Sequence, residues 1–416
     1  MPDDARARHR TGTGLGLLLA LVLGAALLTA LPDDDDRREG DCTARTVASW
    51  AAEPDLTNEF SRYGNDISRT DDWTGGDGTH SVRLPDGRVL WLFSDTYLGQ
   101  VYGPPNPVGE SYVWRDQNAP LVRNSAVVMS EEGRLQSTLP APLFQDPAPG
   151  QWRWPVAARV EARSPGSSEQ VVRVLLWTRA NGAYPWIYGV PTATEVATLS
   201  LPDLRVEGIV KVLDQQQVQD PARRVLFGTT AMAGDGDDGD WTYVFGGDDG
   251  QAASRPASKA YVARVPRDRL AEPDAWQYWD GGQWSATASR LKPVLGDGQK
   301  KGVGSAFTVV RDDGTWVLFT MAAGAQGLTT VTSYWACSPT GPWRGPAKGF
   351  SPPLPEQRSG VAAYNPQMHP ALDDGRLVLS YDVNWLDTTG TTAQANLSRN
   401  VSLYRPRFVT LKLGSG

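Results

Sequence analysis

Residues 73–98 read WTGGDGTHSVRLPDGRVLWLFSDTYL. A strand near Thr79–Leu84, a Pro-Asp-Gly turn at 85–87 and a strand near Arg88–Ser94 make this stretch a β-hairpin. With a three-residue loop, Leu84 pairs with Arg88. Counting outward from that pair sets Asp77 directly across from Asp95. Opposed residues keep their Cβ atoms about 4.5–5.5 Å apart on one face. Two carboxyls that close do not both ionise easily, so one pKa should rise. A protonated acid beside a carboxylate is the arrangement that glycoside hydrolysis uses. Taken alone, the pair also reads as ordinary strand-end and turn aspartates.

The hairpin recurs. Asp-Gly turns stand at Asp86-Gly87, Asp238-Gly239, Asp313-Gly314 and Asp374-Gly375, with the apolar strands RVLWLFSD, DWTYVFGG, TWVLFTMA and RLVLSYDV beside them. A fifth copy fits between the first two, with strands Pro155–Ala162 and Gln170–Thr178 and the longer turn SPGSSEQ. Neighbouring turns are roughly 60–80 residues apart, room for four strands and their loops. No strong helical periodicity follows residue 60. The expected fold is all-β, a five-bladed β-propeller over residues 56–412. Aligning the turns puts Thr229, Gly304 and Asn365 at the place of Asp77, with Trp154 near it in the second blade. A structural turn aspartate should recur from blade to blade, as the one at Asp86 does in three others; Asp77 and Asp95 do not recur.

The chain of 416 residues carries a net charge of −7, and outside the N-terminus no Lys/Arg cluster offsets it, so a nucleic-acid partner is not expected. Residues 1–12 form a basic tail, expected in the cytoplasm, and residues 13–31 an apolar run that serves as a signal peptide or a transmembrane anchor helix. Residues 32–55 are expected as a linker or N-terminal extension. The bulk of the chain is then extracytoplasmic, secreted or anchored, touching the membrane only through the N-terminal segment. Cys42 and Cys337 are the two cysteines; in an exported chain they either pair or remain separate thiols. The acidic loop Asp235–Asp240 lacks the bidentate Glu of a calcium loop and reads as a solvated hairpin. No metal or cofactor is expected.

WTGGDGTHSVRLPDGRVLWLFSDTYLG, the Asn124-Ser125-Ala126 strand and YNPQMHPALDDGRLVLSYDVNW together resemble the D-arabinan-degrading endo-D-arabinofuranases, glycoside hydrolase family 183, once called a domain of unknown function. The resemblance spans roughly residues 60–412. It implies a five-bladed fold, a polysaccharide substrate of the arabinan or arabinogalactan type, and two catalytic aspartates at the positions of Asp77 and Asp95. The wider group of furanosidase propellers commonly adds a glutamate from the third blade. Here that blade begins LFGTTAMA, without a Glu, which favours two aspartates. The alternative is a non-catalytic carbohydrate-binding propeller at the cell surface.

Six further residues are candidates for holding substrate. Tyr97, Trp154 and Tyr364 flank the inner strand ends, where aromatic faces suit sugars but also simply pack. Asn365 replaces Asp77 in the last blade. His369 shares the face of Asn365 by turn alignment, pointing to the channel, or is structural. Asn124 bonds substrate, orients Asp95 or caps a strand.

Overall fold

Every residue from Val171 to Arg179 is buried, which alternation of a half-wet strand would not give. The reason is that strand Gln170–Ala180 lies in a sheet covered on both faces. Val172, Val174 and Leu176 point one way, into a core shared with Leu90 and Leu92. Leu175 and Trp177 point the other way, against Phe227 and Val244. The two-residue period of the strand thus feeds two different cores.

The computed structural model describes residues 42–297, 299–322, 327–356, 360–372, 375–385 and 390–416. The apolar run 13–31 and Asp374 of the last Asp-Gly turn lie outside them. Among the described residues no helix is long and apolar enough to cross a membrane. The structure is mostly β. Its first sheet runs His80–Arg83, Val89–Phe93, Ser125–Met129, Leu135–Thr138. The second runs Gln151–Ala162, Gln170–Ala180, Val190–Leu199, Val206–Asp214. The third begins with Val225–Ala233, Trp241–Asp248 and Ala260–Pro266, and the fourth holds Phe307–Asp312, Thr315–Ala322 and Gly327–Ala336. The fifth runs Val361–Met368, Leu377–Trp385, Pro406–Ser415 and, last, Arg45–Ala52.

Each pair of consecutive sheets encloses an apolar core. Another lies between the first and fifth sheets, where Val89, Trp91 and Phe93 meet Val378 and Phe408. Residues 45–52, expected within a linker or N-terminal extension, supply the outer strand of the fifth sheet, paired antiparallel from Arg45↔Ser415 to Ala52↔Val409. The helix Pro54–Gly64 lies mostly within the span expected as propeller strands. Its Leu56, Phe60 and Tyr63 recur at i, i+4 and i+7, and Phe60 packs edge-on against Trp91 and flat on Phe408.

Cys42 and Cys337 are joined in a disulfide, which fixes the start of strand Arg45–Ala52 to the end of the fourth sheet. Reducing it should lower the denaturation midpoint through loss of a constraint worth about 2–4 kcal/mol. A paired Cys42→Ser, Cys337→Ser variant checks this by thermal melting; an unchanged midpoint would contradict it.

Two histidines are buried and held neutral. Burial pushes the pKa of His80 and of His369 down to about 3. The unfolded chain takes up protons there below about 6.5. Stability from these groups is therefore full above pH 6.5 and is lost as pH falls toward 3. His369→Asn should flatten that loss by about 2 kcal/mol between pH 6.5 and 4.5. Urea midpoints at the two pH values measure it; equal slopes in variant and wild type would contradict it.

Candidate active site

The hairpin turn forms as the sequence predicts. Leu84 N–H donates to Arg88 O at 2.8 Å and Gly87 N–H to Leu84 O at 3.0 Å, with Gly87 at φ 87°. The register His80↔Leu92 within the hairpin and Gly76↔Thr96 beyond it both place Asp77 against Asp95. Asp77 N–H donates to Asp95 O at 3.2 Å, and Ser94 N–H donates to Asp77 O at 2.7 Å. Gly78 makes the close approach possible. It sits at φ 62°, and a Cβ there would come within 2.3 Å of Ser94 Oγ.

A third carboxyl joins the pair. Asp382, from strand Leu377–Trp385 of the fifth sheet, is fully buried. It accepts from Gly78 N–H and Thr79 Oγ–H, each at 2.7 Å, and from Asn365 Nδ2 at 3.3 Å. Asp382 therefore grips the two residues that follow Asp77. Burial pushes its pKa up to about 7 despite these donors.

Asp77 and Asp95 are only partly covered, so a ligand can reach them. Burial raises the Asp77 pKa well above the ordinary carboxylate value, and the charges of Asp95 and Asp382 raise it further. Tyr364 O–H donates to its Oδ2 at 2.7 Å, and the Tyr404 hydroxyl also bonds it. Asp95 is raised too, by burial, but Arg123 pulls it back. Arg123 Nη1 lies 3.0 Å from Asp95 Oδ2, and Trp154 Nε1–H donates to Oδ1 at 2.9 Å. The two opposed acids thus have unlike surroundings. Asp77 faces phenols and negative charge; Asp95 faces a guanidinium and an indole. Burial and like charge therefore raise Asp77 well above the ordinary carboxylate value, while Arg123 and Trp154 favour the anion of Asp95.

Of the candidate ligand-holding residues, Trp154, Tyr364 and Asn365 reach this cluster. Tyr97 lies one layer beneath it, 6% exposed, packed edge-on against Tyr404 and under the guanidinium of Arg115. Asn124 is buried and spends its amide on backbone, donating to Phe144 O and Arg153 O and accepting from Phe144 N–H. It neither touches Asp95 nor faces a ligand. Its neighbour Arg123 holds Asp95 instead.

His369 does not point to the channel. Its ring nitrogens bond Ser81 Oγ at 2.8 Å and Ser380 Oγ at 2.7 Å, and the ring packs against Trp91 and Phe408. The cause is a register shift: Tyr364 pairs with Asp382, but Gln367 pairs with Ser380. One extra residue at Asn365-Pro366, with Asn365 at φ 49°, reverses the facing of everything after it. A third carboxyl, Asp382, comes from the fifth sheet and bonds the two residues after Asp77. Asp382, Tyr404 and Arg123 do not stand out in the sequence. The signal for Asp382 is a lone acid inside the apolar strand LVLSYDVNW.

Residues 58–413 match the family described as a domain of unknown function, DUF5005. The chain belongs to that DUF5005 family. No curated protein matches it in sequence. Among solved structures, this DUF5005 member is similar to a presumed hydrolase from Bacteroides ovatus, at 19% identity and a TM-score of 0.61. That likeness covers 85% of this chain and 89% of the other, and establishes a shared fold. An α-L-arabinofuranosidase from Podospora anserina, solved with cellotriose, aligns at 11% identity and a TM-score of 0.45, over 82% of this chain and 97% of the other. This second likeness is too loose to bear on activity.

Proposed function

We propose that the chain is an exported glycoside hydrolase that cleaves arabinofuranosidic linkages in a D-arabinan-type cell-wall polysaccharide. The observation that carries this reading is the opposed pair Asp77 and Asp95 with unlike proton affinities. Asp77, holding its proton, gives it to the oxygen of the leaving sugar. Asp95, kept anionic by Arg123 and Trp154, acts on the opposite side as base toward water or as nucleophile. Asp382 fixes the Gly78-Thr79 turn that aims Asp77.

The five sheets and the cores between them support a five-bladed propeller, with the acids at the end where the first strand of the first sheet begins. The resemblance to family 183 endo-D-arabinofuranases supports the choice of D-arabinan. The apolar run 13–31 and the disulfide support export, since such bonds persist in oxidising compartments. Purified protein assayed for reducing ends against D-arabinan, L-arabinan, arabinogalactan and xylan tests the reading. Release from D-arabinan above the others is expected. Binding to D-arabinan without release would favour the carbohydrate-binding alternative and overturn the hydrolase.

A further inference from the structure

Loop 181–189, Asn-Gly-Ala-Tyr-Pro-Trp-Ile-Tyr-Gly, joins strands Gln170–Ala180 and Val190–Leu199 of the second sheet. It emerges at the end of that sheet where Trp154, paired with Trp177, reaches Asp95. Three apolar side chains stand out of it into solvent: Tyr184 is 87% exposed, Ile187 60% and Tyr188 52%. Burying none of these on the protein itself leaves a local apolar surface in need of an explanation.

The loop is nevertheless tied down. Arg179 donates through Nε to Tyr188 O and through Nη2 to Gly189 O, both at 2.9 Å, and the same guanidinium pairs with buried Asp249. Within the loop, Trp186 N–H donates to Ala183 O and Gly189 N–H to Trp186 O, each at 2.9 Å. Gly189, at φ 80°, lies so close to the Trp152 ring that a Cβ would come within 2.4 Å of it. Its aromatic groups are therefore presented on a held backbone, which limits the ordering cost of binding. The loop also connects to the acids through packed rings: Gly189 lies against Trp152, Trp152 packs edge-on against Trp154, and Trp154 bonds Asp95.

We propose that Tyr184, Ile187 and Tyr188 form a platform for sugar units of the polysaccharide chain beyond the bond being cleaved. The platform rests on the hydrolase reading. A furanose chain offers C–H faces that pack on aromatic rings while its hydroxyls stay in water, which matches side chains that are apolar yet open. The Trp152 and Trp154 rings, reaching from Gly189 to Asp95, make the platform continuous with the acids.

The test measures binding in the Asp77→Asn protein, which should hold substrate without turning it over. Adding Tyr184→Ala should weaken the dissociation constant for a D-arabinan oligosaccharide of six or more units by about tenfold. The loss should shrink as the ligand is shortened to two units. Leu328→Ala, which removes another exposed apolar side chain, on the fourth sheet, should change nothing. Tyr184→Ala binding as tightly as its parent, or losing as much on the two-unit ligand, would overturn the platform while leaving the hydrolase standing. If wild type cleaves no furanose polymer and the parent binds none, the hydrolase reading itself fails, and the platform with it.

Discussion

Asp77→Asn should reduce turnover of D-arabinan by about a thousandfold, within the range that a positioned acid contributes. An amide keeps the size of the side chain and can still accept from Tyr364. It cannot give a proton to the leaving sugar. The fold should survive, because Asp77 stands at a strand end, partly open to solvent. The variant also distinguishes the two acids. On an aryl arabinofuranoside with a good leaving group, protonation matters less, so Asp77→Asn should lose far less. Asp95→Asn should lose about as much on either substrate, because the base or nucleophile is needed in both cases. Full activity in either variant, or the opposite pattern on the two substrates, would contradict the roles of proton donor for Asp77 and base or nucleophile for Asp95.

Asp382→Asn should cost about a hundredfold, although Asp382 acts through Asp77 and not on the substrate. The carboxylate accepts three hydrogen bonds, two of them from the residues directly after Asp77. An amide must turn its NH₂ toward one of these donors, leaving a buried group unpaired at about 1–3 kcal/mol. The Gly78-Thr79 turn then shifts, and a displacement of about 1 Å is enough for a loss of this size. The pH profile adds a second readout. The Asp382 charge helps to raise the Asp77 pKa. Removing it should let Asp77 lose its proton sooner as pH rises, moving the basic limb of kcat/KM downward. A limb that stays in place or moves upward would show that Asp382 does not act on Asp77.

The first hairpin is legible in the sequence because a short turn fixes its register. Leu84 pairs with Arg88, and the count carries out to Asp77 and Asp95 along an unbroken parity. The fifth sheet is not legible in the same way. The extra residue at Asn365-Pro366 is invisible to turn alignment, which therefore sets His369 on the wrong face and gives Asp382 no special place. Asn124 misleads for another reason. A buried amide satisfied by backbone has the same residue type and neighbourhood in sequence as one facing a ligand. The helix Pro54–Gly64 does carry its signal in Leu56, Phe60 and Tyr63, at a helical spacing just before the strand repeats begin. Strand Arg45–Ala52 carries little, because five of its eight residues are exposed, and its pairing with Pro406–Ser415, its ion pairs from Arg45 and the disulfide are contacts with residues far away in sequence.

The proposed chemistry turns on unequal proton affinities within an opposed pair, and carboxyl ¹³C NMR titration of the aspartates measures them directly. The prediction is one site carboxyl, absent in Asp77→Asn, that titrates well above the ordinary value of about 3.9. In Asp95→Asn it should move back toward that value as the neighbouring charge is removed. Aspartates that all titrate near or below 4, with no change at Asp77 in the Asp95→Asn protein, would contradict that chemistry.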